Sequence, residues 1–169
     1  AAARMGARVH HLGAMGAEDG WLQERLAGLG LDLGGIRLLD APTGHAIITV
    51  DPAGENAIVL FPGANRMQDP GALAAALAGA GPGDSLLLQN ETDAQVEAAR
   101  SARDAGARVI YSAAPFSAEA VRAVLPHVSL LAMNEGEAEA LRAAMGSLPD
   151  RDMIVTGGAK GAEWISAST

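Results

Sequence analysis

Asn134-Glu135-Gly136-Glu137 places an amide and a carboxylate three residues apart, directly after the apolar run 128–133. About one βα unit later comes Thr156-Gly157-Gly158-Ala159-Lys160-Gly161, which offers a hydroxyl, several unobstructed backbone N–H groups and one cation. In parallel α/β proteins ligands gather where polar turns of this kind close buried strands. The free N–H groups and dipole of a helix starting at the tetrad would attract phosphate. A carboxylate in that first turn would repel it unless a cation stood between them. Glu137 is therefore better suited to Mg²⁺, which takes few protein carboxylates and keeps several waters. Glu91, just past the apolar run 85–89, is a third candidate at the same edge, because a carboxylate accepts hydrogen bonds from two neighbouring hydroxyls of a polyol.

Each feature has a plainer explanation when taken alone. Asn followed by Glu three residues later spells a capping box, so the tetrad reads first as the start of a helix. Residues 156–161 read as a glycine-permitted turn between two strands, and Glu91 as a solvated loop acid near a helix N-terminus. The glycine turn is no P-loop, since no Lys-Ser/Thr pair follows, and Gly13-Ala14-Met15-Gly16 lacks the G-x-G-x-x-G of a dinucleotide site. Adjacent His10 and His11 point to opposite faces of a strand, and His45 and His127 have no zinc-type spacing, so a zinc site is not expected. No G-x-S-x-G nucleophile elbow occurs.

The elements that would carry these residues follow from the hydrophobic pattern. The chain has 169 residues, 49% of them hydrophobic, which is enough for one domain with a sizeable core. Its net charge of -8, with no basic cluster, argues against nucleic acid and anionic lipid. No apolar stretch reaches membrane-span length, and no signal-peptide pattern opens the chain. With no cysteine, disulfides and thiolate chemistry are excluded, which fits a cytoplasmic protein. Short apolar runs alternate with helical segments, the mark of a mostly parallel, Rossmann-like α/β sheet flanked by helices. The pattern predicts a helix end over 1–5, strands at 9–12, 85–89, 108–111, 129–133, 153–156 and 162–166, and helices at 18–29, 71–77, 93–105, 117–125 and 135–145. Between 36 and 61 the rhythm breaks into β-branched runs around Asp51-Pro52-Ala53-Gly54-Glu55-Asn56, which predicts an antiparallel hairpin flap.

These residues together resemble the ribokinase-like, PfkB-type carbohydrate kinases over the whole chain, 1–169. The stretch 12–20, Thr43-Gly44-His45-Ala46, Gly54-Glu55-Asn56 with Pro62-Gly63-Ala64-Asn65, Leu88-Gln89-Asn90-Glu91, the Asn134 tetrad and the turn 156–161 are similar to the family's motifs in the family's order. The resemblance implies ATP- and Mg²⁺-dependent phosphorylation of a sugar primary hydroxyl, first of all ribose to ribose 5-phosphate, with room for a monovalent cation such as K⁺. It assigns Glu91 to the sugar, Asn134 to nucleotide phosphate, Glu137 to Mg²⁺, and Thr156, Gly157, Gly158, Ala159, Lys160 and Gly161 to the nucleotide. The flap would cover the sugar and pair with a partner's flap in a homodimer. The family's G-G-K-G-A-N sugar motif would precede Ala1, and its G-A-G-D, with the general-base aspartate, would follow Thr169. Ser112-Ala113-Ala114-Pro115 stands where N-P-A-P is usual, so no role is placed on Ser112. The expectation is a kinase truncated at both ends, inactive as this piece alone. The alternatives are a non-catalytic nucleotide- or sugar-binding module, a related kinase acting on another sugar or a nucleoside, or a purely structural α/β domain.

Overall fold

The computed structural model describes residues 1–167, leaving Ser168 and Thr169 outside the described residues. The chain divides into two compact units, Ala1–Leu73 and Ala74–Thr169.

In the N-terminal unit a short 3-10 turn at Ala3–Met5 ends at Gly6, whose φ of 94° is a left-handed stop. Strand β1 (His10–Gly16) is longer than the predicted 9–12 and pairs in parallel with β2 (Asp32–Leu39). Helix α1 (Gly20–Ala27) connects them. The residues from Ile36 to Leu39, expected in the flap, thus belong to a parallel strand, and the flap is confined to the antiparallel pair β3 (His45–Val50) and β4 (Asn56–Phe61). Its tip is an Asp51 turn: the carboxylate accepts from the N–H groups of Ala53 at 2.8 Å and Glu55 at 2.9 Å, and Gly54 supplies a φ of 88°. Every hairpin residue is exposed, including Ile47, Ile48, Val50, Ile58, Val59, Leu60 and Phe61. Met15 and Ala64 are the fully buried apolar side chains among the described residues of this unit. Helix α2 (Pro70–Leu77) spans the boundary between the units.

The C-terminal unit is an α/β sheet in the order β5 (Ser85–Gln89), β6 (Arg108–Ser112), β7 (Leu130–Asn134), β8 (Asp152–Thr156) and β9 (Ala162–Ile165). The first four strands are parallel and β9 returns antiparallel to β8. Helix α3 (Gln95–Asp104) packs on β5 and β6, α5 (Glu135–Met145) on β7 and β8, and α4 (Ala118–Val124) against both helices. The buried face of α3 is small, Ala98, Ala99 and Ala102, which lets the helix lie close to the sheet; Val121 and Val124 of α4 and Leu141 of α5 complete the layer. From the sheet, Val109, Tyr111, Leu131, Met133 and Met153 are buried, while Leu87 and Trp164 are exposed. Among the described residues no helix is long and apolar enough to cross a membrane.

Tyr111 carries the one orphan of this core among the described residues. Its ring is fully buried and its hydroxyl has no hydrogen-bond partner, and burial pushes its pKa up to about 12. A buried polar group without a partner costs more than its apolar replacement. Tyr111→Phe is therefore expected to stabilise the protein by about 1 kcal/mol, read as a higher urea midpoint at unchanged m-value; a lower midpoint would mean that the hydroxyl is satisfied.

Candidate functional site

The site is assembled at the carboxyl ends of the parallel strands, beginning with α5. Asn134 closes β7 with an extended backbone and caps the helix: its side-chain oxygen accepts from the Glu137 N–H at 2.8 Å. Glu137 reciprocates, one carboxylate oxygen accepting from the Asn134 N–H at 2.8 Å. The capping box expected of an isolated tetrad is thus present, and Gly146, with φ 82°, stops the helix at its other end. A carboxylate has about four lone-pair sites, so one backbone bond leaves Glu137 capacity to accept from metal-bound water.

The neighbouring strand brings the second element into reach. Asn134 and Thr156 are ladder partners, and the Thr156 hydroxyl leans to the Met133 carbonyl at 3.4 Å. Beyond Thr156 the chain makes a closed turn: Gly157 N–H donates to the Gly161 carbonyl at 2.8 Å, and Lys160 and Gly161 donate back to Gly157 and Gly158. Gly158 at φ 58° and Gly161 at φ 92° hold left-handed conformations that side chains resist, so these two glycines are required by the turn itself. The turn contains a short 3-10 segment, Gly158–Lys160, and the leading N–H groups of any helical turn have no partner within it.

Glu135 is a participant that sequence reasoning passed over. Both its oxygens accept from the Lys160 ammonium, at 3.2 and 3.1 Å, so the only lysine of the chain rests at the start of α5. The pair is exposed, 76% for the lysine side chain and 53% for the glutamate, and an exposed pair of this kind contributes about 0–1 kcal/mol. Lys160 can leave it at small cost. Glu135, Glu137 and Lys160 together carry one excess negative charge, which disfavours a polyphosphate until a divalent cation joins. The local signal was available: a carboxylate at the first helical position, with a lysine in the turn after the adjacent strand.

Glu91 lies elsewhere on the same edge. Gln89, Ser112, Ala132 and Ile154 form one rung across β5 to β8, so Glu91 and Asn134 each stand two residues beyond that rung. Strands β5 and β7 are two ladder spacings apart, about 10 Å, and no hydrogen bond joins Glu91 to the tetrad. Two buried amides missed in the sequence fix its loop. Asn90 donates from its side chain to the Pro115 carbonyl at 2.7 Å and from its backbone to Ala114 at 2.9 Å. Gln95 donates to the carbonyls of Gln89 and Thr92 at 2.8 and 2.7 Å. Between them Ala94 is held at φ 56°, a conformation costing a non-glycine residue about 1–2 kcal/mol. Half-buried Glu91 is thus held on a loop determined from both sides.

No group of three or more His, Asp or Glu side chains among the described residues forms a metal cage. The donor set nevertheless fits Mg²⁺, which is ordinarily held by one or two carboxylates with waters and substrate phosphates. Glu137, with Asn134 and the 156–161 turn beside it, supplies that minimum.

A family profile described as "pfkB family carbohydrate kinase" matches residues 1–168. Among curated protein sequences no relative matches. Solved structures do: a ribokinase from Cryptococcus neoformans var. grubii serotype A in complex with ADP has a TM-score of 0.80 at 27% identity, covering 99% of this chain and 62% of its own. A fructokinase from Xylella fastidiosa has a TM-score of 0.83 at 19% identity, covering 98% and 60%. A Burkholderia thailandensis nucleoside kinase in complex with inosine has a TM-score of 0.80 at 20% identity, covering 99% and 58%. The chain therefore spans about three fifths of the length of these structures.

The cap has a stability of its own, independent of any ligand. Asn134→Ala removes one of its two hydrogen bonds and is expected to cost about 1 kcal/mol, measured as a lower urea midpoint of the full-length protein without nucleotide.

Proposed function

The chain belongs to the pfkB family of carbohydrate kinases, and from that membership we propose that the full-length protein transfers the γ-phosphoryl group of ATP to a primary hydroxyl of a sugar, with ribose the first candidate. The observation that carries this reading is the adjacency of Asn134 and Thr156 on paired parallel strands. It sets the start of α5 beside the glycine turn, which supports reading the two together as one phosphate site.

In the proposed reaction the acceptor oxygen attacks the γ-phosphorus in line, a new O–P bond forms, the bond to the β-phosphate oxygen breaks and ADP leaves. The hydroxyl proton passes to a general base, for which the family resemblance implies an aspartate. Glu91 accepts from hydroxyls of the sugar and fixes its orientation. Asn134 and the N–H groups at the start of α5 face the phosphates, and Thr156, Gly157, Gly158, Ala159 and Gly161 form the nucleotide's bed. Lys160 exchanges Glu135 for a phosphate oxygen. Glu137 accepts from the water shell of Mg²⁺. When bound, that ion neutralises phosphate charge. Positioning and charge placement, not a covalent intermediate, supply the rate.

The β3–β4 hairpin is assigned the cover that excludes water from the acceptor, since water otherwise competes for the phosphoryl group. Both of its faces are apolar: Ala46, Ile48, Val50, Ile58 and Leu60 alternate with Ile47, Val59, Ala57 and Phe61. One face can serve as cover, and the other suits the hairpin of a second copy, because an isolated two-stranded ribbon needs something to pack on.

Ribose is favoured over other acceptors by the ribokinase among the similar structures, while the fructokinase and the nucleoside kinase at lower identity keep a hexose or a nucleoside in the test. Assayed with ATP and Mg²⁺ against ribose, fructose and inosine, the full-length protein is expected to turn over ribose with the highest kcat/KM. Binding of nucleotide and sugar without turnover would overturn the kinase reading. Glu137→Gln preserves the capping box, because glutamine serves equally at that position. It is therefore expected to keep the thermal midpoint and to raise the Mg²⁺ concentration for half-maximal rate about tenfold, as loss of a metal's supporting partner does. An unchanged Mg²⁺ requirement would remove the metal role of Glu137.

A further inference from the structure

We propose that Asp19 and Thr43 form a latch that positions the β3–β4 hairpin, so that the cover is set by a carboxylate outside it. Asp19 occupies the N-cap position of α1, where a carboxylate ordinarily accepts from helix N–H groups. Its side chain makes no such bond. One oxygen accepts instead from the Thr43 hydroxyl, 24 residues away, and the other from the Trp21 indole at 3.3 Å. The Thr43 oxygen in turn accepts from the Gly16 N–H at 2.8 Å, across 27 residues. Thr43 lies two residues before β3, Gly16 is the last residue of β1, and Asp19 begins α1. One hydroxyl therefore ties the entry leg of the hairpin to both elements. That hydroxyl is also the main influence holding the Asp19 carboxyl below its usual pKa.

The surroundings leave the latch no slack. A Cβ on Gly16 would lie 2.7 Å from the Ala41 carbonyl and 3.0 Å from the Asp19 carboxylate, so only glycine lets the three residues meet. A Cβ on Gly44 would lie 2.5 Å from the Pro62 carbonyl and 2.6 Å from the Asn65 amide, so only glycine lets the entry leg lie this close to the return leg. Ala64, fully buried, donates its N–H to the Pro42 carbonyl at 2.9 Å, and His45 packs on Phe61 with ring centroids 5.1 Å apart. The two legs thus form one clasped body; the hydroxyl of Thr43 fastens its entry leg to β1 and α1, and Gly63–Arg66 of its return leg lie against β1. Asp19 and Thr43 are positioning residues: they touch the hairpin's base and act on the acceptor through the hairpin.

The inference rests on the hairpin being the acceptor's cover, so the test has one readout independent of activity. In the full-length protein, Thr43→Val keeps the shape and removes the hydroxyl, while Thr43→Ser keeps the hydroxyl. Thr43→Val is expected to speed amide hydrogen exchange across 45–61 about tenfold, the size expected for losing one charge-assisted hydrogen bond. It should raise the acceptor KM by a similar factor and leave the ATP KM unchanged, with Thr43→Ser close to the parent in all three. Asp19→Asn, which keeps the shape and removes the charge, should act in the same direction and serves if Thr43→Val does not fold. Unchanged exchange in a folded Thr43→Val or Asp19→Asn protein overturns the latch, whether or not the protein proves to be a kinase. Faster exchange with an unchanged acceptor KM, or an equal rise in both KM values, overturns the positioning role. A parent protein that phosphorylates no acceptor sinks the kinase reading instead, and exchange alone then decides the latch.

Discussion

The reciprocal hydrogen bonds between Asn134 and Glu137 are the constraint on which the candidate nucleotide end depends. They fix where β7 stops and α5 starts, and the start of α5 is the only part of that helix that can face an anion. The parallel ladder then places Thr156 opposite Asn134 and launches the glycine turn beside the same helix end. A shift of one residue in this register would set Val155 or Gly157 opposite Asn134 in place of Thr156. The cap is thus part of the candidate site. The structural explanation of the tetrad and the proposed phosphate-facing role rest on the same two bonds.

Charge decides what such a place can accept. Helix N–H groups and Lys160 favour an anion, while Glu135 and Glu137 oppose it. The Lys160–Glu135 pair is weak because it is exposed, so the lysine is kept near the site without being committed. Glu137 is committed on one side only, to the Asn134 N–H. The arrangement is poor for a bare polyphosphate and suited to one that arrives with a divalent cation.

How much of this was legible in the sequence depended on how local the signal was. Helix α5 was bounded correctly because its cap, Asn134 with Glu137, and its stop, Gly146, are written within the element. Strand β5 was equally plain, a run of three leucines closed by the amides Gln89 and Asn90. Strand β2 was not. Asp32-Leu33-Gly34-Gly35 has the look of a loop, and its pairing with β1 passes through a register shift between His10 and Leu12, so the sequence pattern assigns Ile36 to Leu39 to the hairpin. The same limit hid Asn90, Gln95 and Thr43. Each is an unremarkable polar residue until its partner, 25, 6 or 24 positions away, is brought beside it. The candidate carboxylates Glu91 and Glu137 stand out because their chemistry is intrinsic, whereas Glu135 and the groups that hold the candidates in place show themselves only through contacts.

The two units divide this work unequally. Nearly the whole apolar interior belongs to the C-terminal unit, where small alanines of α3 lie against buried Val109 and Tyr111. The residues proposed to face a phosphate are carried there, on strand ends and a capped helix. The hairpin of the N-terminal unit has exposed side chains on both faces, and its shape comes from a polar tip, two crowded glycines and a clasp at its base. Segments with few buried contacts open at low free energy, as the cover proposed for the hairpin would require. A cover free at its base would close in no defined place. The Thr43 hydroxyl between Asp19 and Gly16, together with Gly63–Arg66 of the return leg against β1, holds the root of the hairpin and leaves its length exposed, as the proposed cover would require.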